Sequence, residues 1–294
     1  MKTLSRRRML SQSVAGASIF SSASFFHKLF AEPQSRRFKI GACDWSIGKL
    51  ADVGAFELAK QIGLDGIQVS LGTEKDGMKL RRPEVQQLYR QAAKKTGVQV
   101  SALAIGELNR IPYKSDARAI EWVSDSIDVC QAMGCKVVLL AFFSKGDLKG
   151  DKKGTDEVVR RLKEVASKAE KAGVILGIES WLSAEEHMDI IDRVGSRAVQ
   201  VYYDVANSNK MGYDIYEEIR WLGKQKQICE FHMKENGFLL GQGKVDFQKV
   251  RAAIDDIDYS GWMQIESAIP RGQAMLESYR ANEKYLRSVF PREA

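Results

Sequence analysis

Residues 173–180 read Gly173-Val174-Ile175-Leu176-Gly177-Ile178-Glu179-Ser180. A glycine opens the stretch, an apolar run follows, and a carboxylate stands near its end. Upstream, residues 155–172 carry apolar positions at helical spacing, so Gly173 falls where a helix stops. Glycine at that place caps a helix in the left-handed conformation. The short apolar run after it reads as a strand. Helix, glycine and apolar strand recur in the same order at Gly63, Gly97 and Gly134.

Outward from these units, short apolar runs alternate with longer amphipathic ones. The predicted strands are 39–46, 66–71, 99–105, 136–142, 175–179, 199–204, 228–233 and 262–266. Pro83 marks the start of a helix predicted over 83–96. Eight strand–helix units in roughly 250 residues are what a (β/α)8 barrel, the parallel eight-stranded TIM barrel, requires. An open dinucleotide-binding sheet would carry Gly-x-Gly-x-x-Gly after its first strand, and this chain has none there. No linker interrupts the pattern, so one α/β barrel is predicted over residues 38–290.

The reactive face of such a barrel lies at the C-terminal ends of its strands. Strands five to eight finish with Gly177-Ile178-Glu179-Ser180, Tyr202-Tyr203-Asp204-Val205, Glu230-Phe231-His232-Met233 and Gln264-Ile265-Glu266-Ser267. Each delivers one potential ligand: Glu179, Asp204, His232 and Glu266. Three carboxylates in a partly dry pocket repel and desolvate one another unless a cation joins them. The mostly oxygen donor set suits one divalent metal ion (Mn²⁺, Mg²⁺, Co²⁺ or Zn²⁺) and disfavours copper. His187 falls in an early helical turn and reads as a packed or solvated side chain. Gly241-Gln242-Gly243-Lys244 reads as a tight turn into a helix rather than a phosphate cradle.

The chain has 294 residues, 44% hydrophobic and 28% charged, which excludes disorder and a collagen-like fibre. Its net charge of +7 would suggest nucleic acid. Residues 1–31, however, hold Lys2, Arg6, Arg7, Arg8 and Lys28 and no acid, which leaves 40 basic against 38 acidic groups elsewhere. That near balance lacks an electrostatic footprint for a nucleic-acid partner. Ser5-Arg6-Arg7-Arg8-Met9-Leu10 resembles the twin-arginine export signal. An Ala/Ser/Gly-rich apolar stretch follows over 14–26, too short for a membrane span, and Leu29-Phe30-Ala31 is a candidate cleavage site. These features predict export to the periplasm and transient contact with the twin-arginine machinery. Cys43, Cys130, Cys135 and Cys229 are expected as free buried thiols.

From 38 to 290 the chain resembles the xylose-isomerase-like (β/α)8 superfamily of sugar isomerases and epimerases. In pattern it is similar to the branch of tagatose/psicose 3-epimerases, hydroxypyruvate isomerases and inosose dehydratases. The resemblance rests on Ile62-Gly63-Leu64-Asp65-Gly66-Ile67-Gln68, Gly177-Ile178-Glu179 and Tyr203-Asp204-Val205-Ala206-Asn207. It continues in Phe231-His232-Met233-Lys234-Glu235, Gly241-Gln242-Gly243-Lys244-Val245-Asp246-Phe247 and Gly261-Trp262-Met263-Gln264-Ile265-Glu266. It implies that Glu179, Asp204, His232 and Glu266 bind one divalent metal, and that Glu179 and Glu266 also form the acid/base pair. It implies a small-molecule carbohydrate substrate and, as in related barrels, a homo-oligomer. The activity expected is isomerase or epimerase, with a lyase or dehydratase of a keto sugar or cyclitol, or a non-catalytic carbohydrate-binding barrel, as alternatives.

Two positions depart from the 3-epimerase branch. Asn207 stands where a histidine is common, and Phe238 where an arginine is common. Lys234 and Arg271 are candidates to supply the lost polar contacts. Trp45, Trp181 and Phe142 stand at or just past strand ends, either as walls against sugar C–H faces or as barrel-mouth packing. The candidate substrate contacts are therefore Trp45, Trp181, Asn207, Lys234 and Arg271.

Overall fold

The structure, a computed structural model, describes residues 37–292. The export segment read at residues 1–31 lies outside them. The chain runs β1 (Phe38–Cys43), α1 (Ala55–Ile62), β2 (Gly66–Ser70), α2 (Pro83–Thr96), β3 (Gln99–Ile105), α3 (Ala117–Met133), β4 (Val137–Phe142) and α4 (Lys152–Ala172). It continues β5 (Ile175–Ser180), α5 (Ala184–Val194), β6 (Val199–Asp204), α6 (Val205–Lys210), α7 (Ile215–Lys224), β7 (Ile228–Glu235), α8 (Phe247–Asp255), β8 (Gly261–Ser267) and α9 (Met275–Val289). The eight strands close into a barrel in chain order, and β8 returns to β1 in parallel register from Phe38 opposite Gly261 to Ala42 opposite Ile265. The predicted (β/α)8 barrel is the observed fold.

Local chemistry explains the element ends. Gly63, Gly97, Gly134 and Gly173 each cap a helix in the left-handed conformation. Pro83 opens α2, where its missing N–H costs nothing. Helix α4 starts three residues before the predicted 155, because the Asp151 side chain accepts from Gly154 N and nucleates an earlier turn. The larger core lies between strands and helices; Phe231 and Met233 of β7 point into it. The intervening residues Glu230, His232 and Lys234 take the other face, towards the barrel axis, as strand alternation requires.

Inside the barrel the filling is mixed. Ala102, Ala104, Val137, Leu139, Ala141 and Tyr202 form a small apolar cluster. Gln68, Glu230 and Gln264 complete that interior and are all buried. The thiols are free, with Cys130 Sγ 3.2 Å from Cys135 Sγ. Among the described residues no helix is long and apolar enough to cross a membrane.

Two glycines separate backbone strain from packing. Gly173 has φ +64° and nothing within 4 Å of an added Cβ. Gly72, after β2, has φ +136°, and a Cβ there would lie 2.6 Å from Lys79 N and 2.8 Å from Met78 Cα. Gly173→Ala should lower the unfolding free energy by about 1 kcal/mol. Gly72→Ala should lower it by about 2–5 kcal/mol, because a backbone clash adds to the strain. Chemical denaturation of both variants checks this; equal losses would contradict it.

Candidate metal centre and active site

A cavity of about 470 Å³ opens at the C-terminal ends of the strands. Asp44, directly after β1, anchors one rim. Its carboxylate accepts from Ser70 N (2.8 Å), Ser70 Oγ (2.7 Å) and Ala51 N (3.0 Å). Burial pushes its pKa up to about 6 against these hydrogen bonds. The loop so pinned carries Trp45, whose Nε1 donates to Glu266 Oε1 at 2.9 Å.

Glu179, Asp204, His232 and Glu266 meet at the bottom of this mouth. Each offers one ligand atom, and the four atoms lie within 4.8 Å of one another. His232 is fully buried, with Nδ1 3.0 Å from Glu179 Oε1 and 3.5 Å from Glu266 Oε2. Lys234 reaches the same place from the next inward position of β7. Its Nζ donates to Glu266 Oε2 at 2.6 Å and lies 3.2 Å from Asp204 Oδ2. Asp204 divides its oxygens. Oδ1 accepts from Ala206 N and Asn207 N, each at 2.9 Å, and caps α6. Oδ2 is buried and has no hydrogen bond.

Burial and charge set the two glutamates apart. Burial pushes Glu179 up to about 7, with His232 opposing and Glu266 and Asp204 reinforcing the rise. For Glu266 burial also favours the neutral acid, but Lys234 and His232 outweigh it and bring the carboxyl down to about 2. Burial alone would lower Lys234; Asp204, Glu266 and Glu179 outweigh it and hold the ammonium above its ordinary value. Burial likewise opposes a charged His232, while the neighbouring carboxylates raise it. The Cys43 thiol beside it is pushed by burial up to about 12 and is neutral at ordinary pH.

The residues fit a divalent cation. Three carboxylates converge, an imidazole presents Nδ1, and one buried carboxylate oxygen, Asp204 Oδ2, has no hydrogen bond. Lys234 meets that oxygen at 3.2 Å, but one ammonium falls short of three converging buried carboxylates, and a further cation would offset their repulsion. The donor chemistry is that of a hard, oxygen-rich site.

Of the proposed substrate contacts, Trp45, Trp181, Asn207 and Lys234 line the cavity. Arg271 does not: it is exposed, and the chain turns sharply just after Glu266, with Ser267 and Ala268 both left-handed. Phe142 is also a correction. It points outward from β4 into the helix layer, fully buried, and the next residue, Phe143, lines the mouth. Phe143 packs edge-on against Trp181 with ring centroids 5.0 Å apart. His187 is buried between Ser180 Oγ and Ser183 O, each 2.9 Å away, and burial brings its pKa down to about 4. In the 241–244 turn the backbone N–H of Lys244 and that of Val245 donate to Glu235, at 3.3 and 2.8 Å, which leaves no phosphate cradle.

Several site residues lie outside the sequence reading. Glu107 and Asn109 follow β3 and line the cavity. A search for polar groups past every strand, rather than the last four, would have found them. Gln68 and Glu230 sit beneath the site, and Glu230 is two residues before His232 on the same strand face, so alternation alone marks it.

The sequence matches the xylose isomerase-like TIM barrel family over residues 56–288. A 2-epi-5-epi-valiolone 7-phosphate 2-epimerase of an Actinoplanes species is 25% identical over 177 residues, 60% of this chain and 65% of that protein. A D-psicose 3-epimerase of Enterocloster bolteae is 27% identical over 140 residues, 45% of each chain. The chain thus spans less than two thirds of either relative. Among solved structures, D-psicose 3-epimerase from Clostridium cellulolyticum superposes with a TM-score of 0.73 at 18% identity, over 86% of this chain and 99% of that one. The 3-keto-D-glucoside 4-epimerase of E. coli gives 0.70 at 15% identity, over 85% and 99%. At these identities the superpositions speak for the fold. The match to the family covers most of the barrel, and the chain belongs to the xylose isomerase-like TIM barrel family.

Proposed function

We propose that the protein is a divalent-metal-dependent isomerase or epimerase of a sugar or keto sugar. The observation that carries this is the meeting of Glu179, Asp204, His232 and Glu266 within 4.8 Å at a cavity of sugar size. The two curated relatives are named as epimerases, which supports the same reading. A divalent cation held by the four would supply Lewis-acid stabilisation of the negative charge that develops on an enediolate.

The chain's own groups do the rest. Glu266, kept ionised by Lys234, takes the proton from the carbon beside the carbonyl. Glu179, more readily protonated, returns one. Return to the opposite face gives epimerisation, and return to the neighbouring carbon gives isomerisation. Trp45, Trp181 and Phe143 cover the apolar faces of the sugar, and Asn207 meets its hydroxyls. Lys234 is the one lysine or arginine among the cavity's lining residues, and it already faces two carboxylates. The substrate that suits this lining is an unphosphorylated sugar. We further propose that residues 1–31 direct export.

In D₂O with Mg²⁺ or Zn²⁺, proton NMR of a sugar panel should show deuterium entering at one carbon without loss of water. Elimination of water would make the enzyme a dehydratase, and activity on sugar phosphates alone would refute the neutral substrate. Glu179→Gln and Glu266→Gln should each lower turnover by about 100-fold or more. Metal at about 100 times its Kd should stabilise the fold by about 2.7 kcal/mol, read as a rise in Tm. Because Glu179 takes a proton near pH 7, apparent affinity should fall as the pH drops below that value. Absence of both effects would remove the metal from the reading. Replacing Arg7 and Arg8 by lysine should keep the full-length chain in the cytoplasm; unchanged fractionation would exclude twin-arginine export.

A further inference from the structure

Beneath the four candidate ligands lies a set of polar side chains that the proposed chemistry does not touch. His232 Nε2, the ring nitrogen turned away from the site, is 2.9 Å from Gln68 Oε1. Gln68 Nε2 donates to Tyr202 Oη at 3.2 Å, and Tyr202 Oη donates to Glu230 Oε2 at 3.0 Å. Gln264 Nε2 donates to the same Glu230 oxygen at 3.3 Å. Gly41 makes room for this last group, since a Cβ there would lie 2.1 Å from Gln264 Oε1. Gln68, His232 and Gln264 are 0% exposed, Tyr202 1% and Glu230 2%, so bulk water cannot stand in for a missing partner.

We infer that Gln68, Tyr202 and Glu230 are positioning residues that hold the His232 ring through a proton on Nε2, so that Nδ1 is turned towards the candidate metal position. The direction of each bond follows from the one below it. Tyr202 Oη and Gln264 Nε2 both donate to Glu230 Oε2. The Tyr202 hydroxyl thus gives its proton downward, and its oxygen can only accept from above. That fixes the Gln68 amide with its NH₂ towards Tyr202 and its carbonyl towards His232. A carbonyl oxygen only accepts, so the facing Nε2 carries the hydrogen. The Cys43 thiol donates to the same carbonyl at 3.2 Å and does not disturb this order. Reversal at any one link would leave two lone pairs or two hydrogens facing each other in a buried site. A histidine ligand is ordinarily oriented through its second nitrogen, and here a glutamine does so, itself oriented by a tyrosine and a carboxyl group.

The inference rests on the proposed metal centre for its purpose, but not for its geometry. The test uses full-length protein labelled with ¹⁵N-histidine. The chain has three histidines, and the signals lost in His232→Gln identify the ring of interest. Long-range ¹H–¹⁵N spectra are recorded on metal-free protein at a pH where that ring is neutral, and again with Zn²⁺ added. The wild type should show Nε2 protonated in both and Nδ1 bare once Zn²⁺ is added, since without metal Nδ1 faces Glu179 Oε1 at 3.0 Å. Tyr202→Phe removes one oxygen and frees the Gln68 amide to turn, so both tautomers should appear, with Zn²⁺ bound about 10-fold more weakly. Gln68→Leu should weaken Zn²⁺ by about 10–100-fold, and Gln68→Glu, which keeps an acceptor for Nε2–H, should restore most of it. A wild-type ring without a proton on Nε2 would overturn the inference. So would a Tyr202→Phe variant unchanged in both tautomer and Zn²⁺ affinity. If the wild type binds no Zn²⁺, the metal centre fails, and the metal-free spectra still decide the tautomer.

Discussion

Three carboxylates and one imidazole, all buried, share the end of one barrel. Their charges repel, and burial taxes each of them. Much of the surrounding structure answers that problem. Lys234 brings a positive charge from the same strand that carries His232. Trp45 gives an N–H to Glu266 from a loop that the buried Asp44 pins in place. Asp204 gives one of its oxygens to the start of α6. These devices stabilise the carboxylates without closing the mouth.

The same constraint accounts for the unusual barrel interior. A wholly apolar filling would leave the inner nitrogen of His232 with nothing to meet. The glutamine, tyrosine and glutamate beneath it spread one polar requirement downward until it ends at Gln264, seated by Gly41. Strand alternation makes this economical. On β7 the residues facing the axis are Glu230, His232 and Lys234: support, candidate ligand and counter-charge in one line.

What the sequence discloses follows from the range of each signal. The barrel is legible because glycine caps and apolar runs are local. Strands β3 and β6 have the bounds their runs predict, and the four left-handed caps fall where the glycines stand. The four candidate ligands are legible because each stands in the C-terminal half of its strand, and barrel ends converge. Arg271 is not, because its place depends on a turn formed by non-glycine residues with positive φ, which leave little trace in composition. Phe142 and Phe143 differ by one position, and one residue along a strand exchanges barrel mouth for helix layer. Gln68 lies within a stretch that carries the family resemblance, yet its partners come from β1, β6 and β7, a relation no short motif contains.

The divided carboxylate of Asp204 also bears on how members of this architecture can diverge. Strand β6 passes into α6 with no intervening loop, and a single side chain serves both the helix start and the centre of the site. An inserted residue there would uncap the helix and move an oxygen out of the cluster together. The stretch between β2 and α2 and the one between β3 and α3 line the cavity, with Thr73, Glu107 and Asn109, and carry no such double duty. New substrate preferences are therefore expected to accumulate by lengthening and rewriting those two connections, while the junction after β6 keeps its length across lineages.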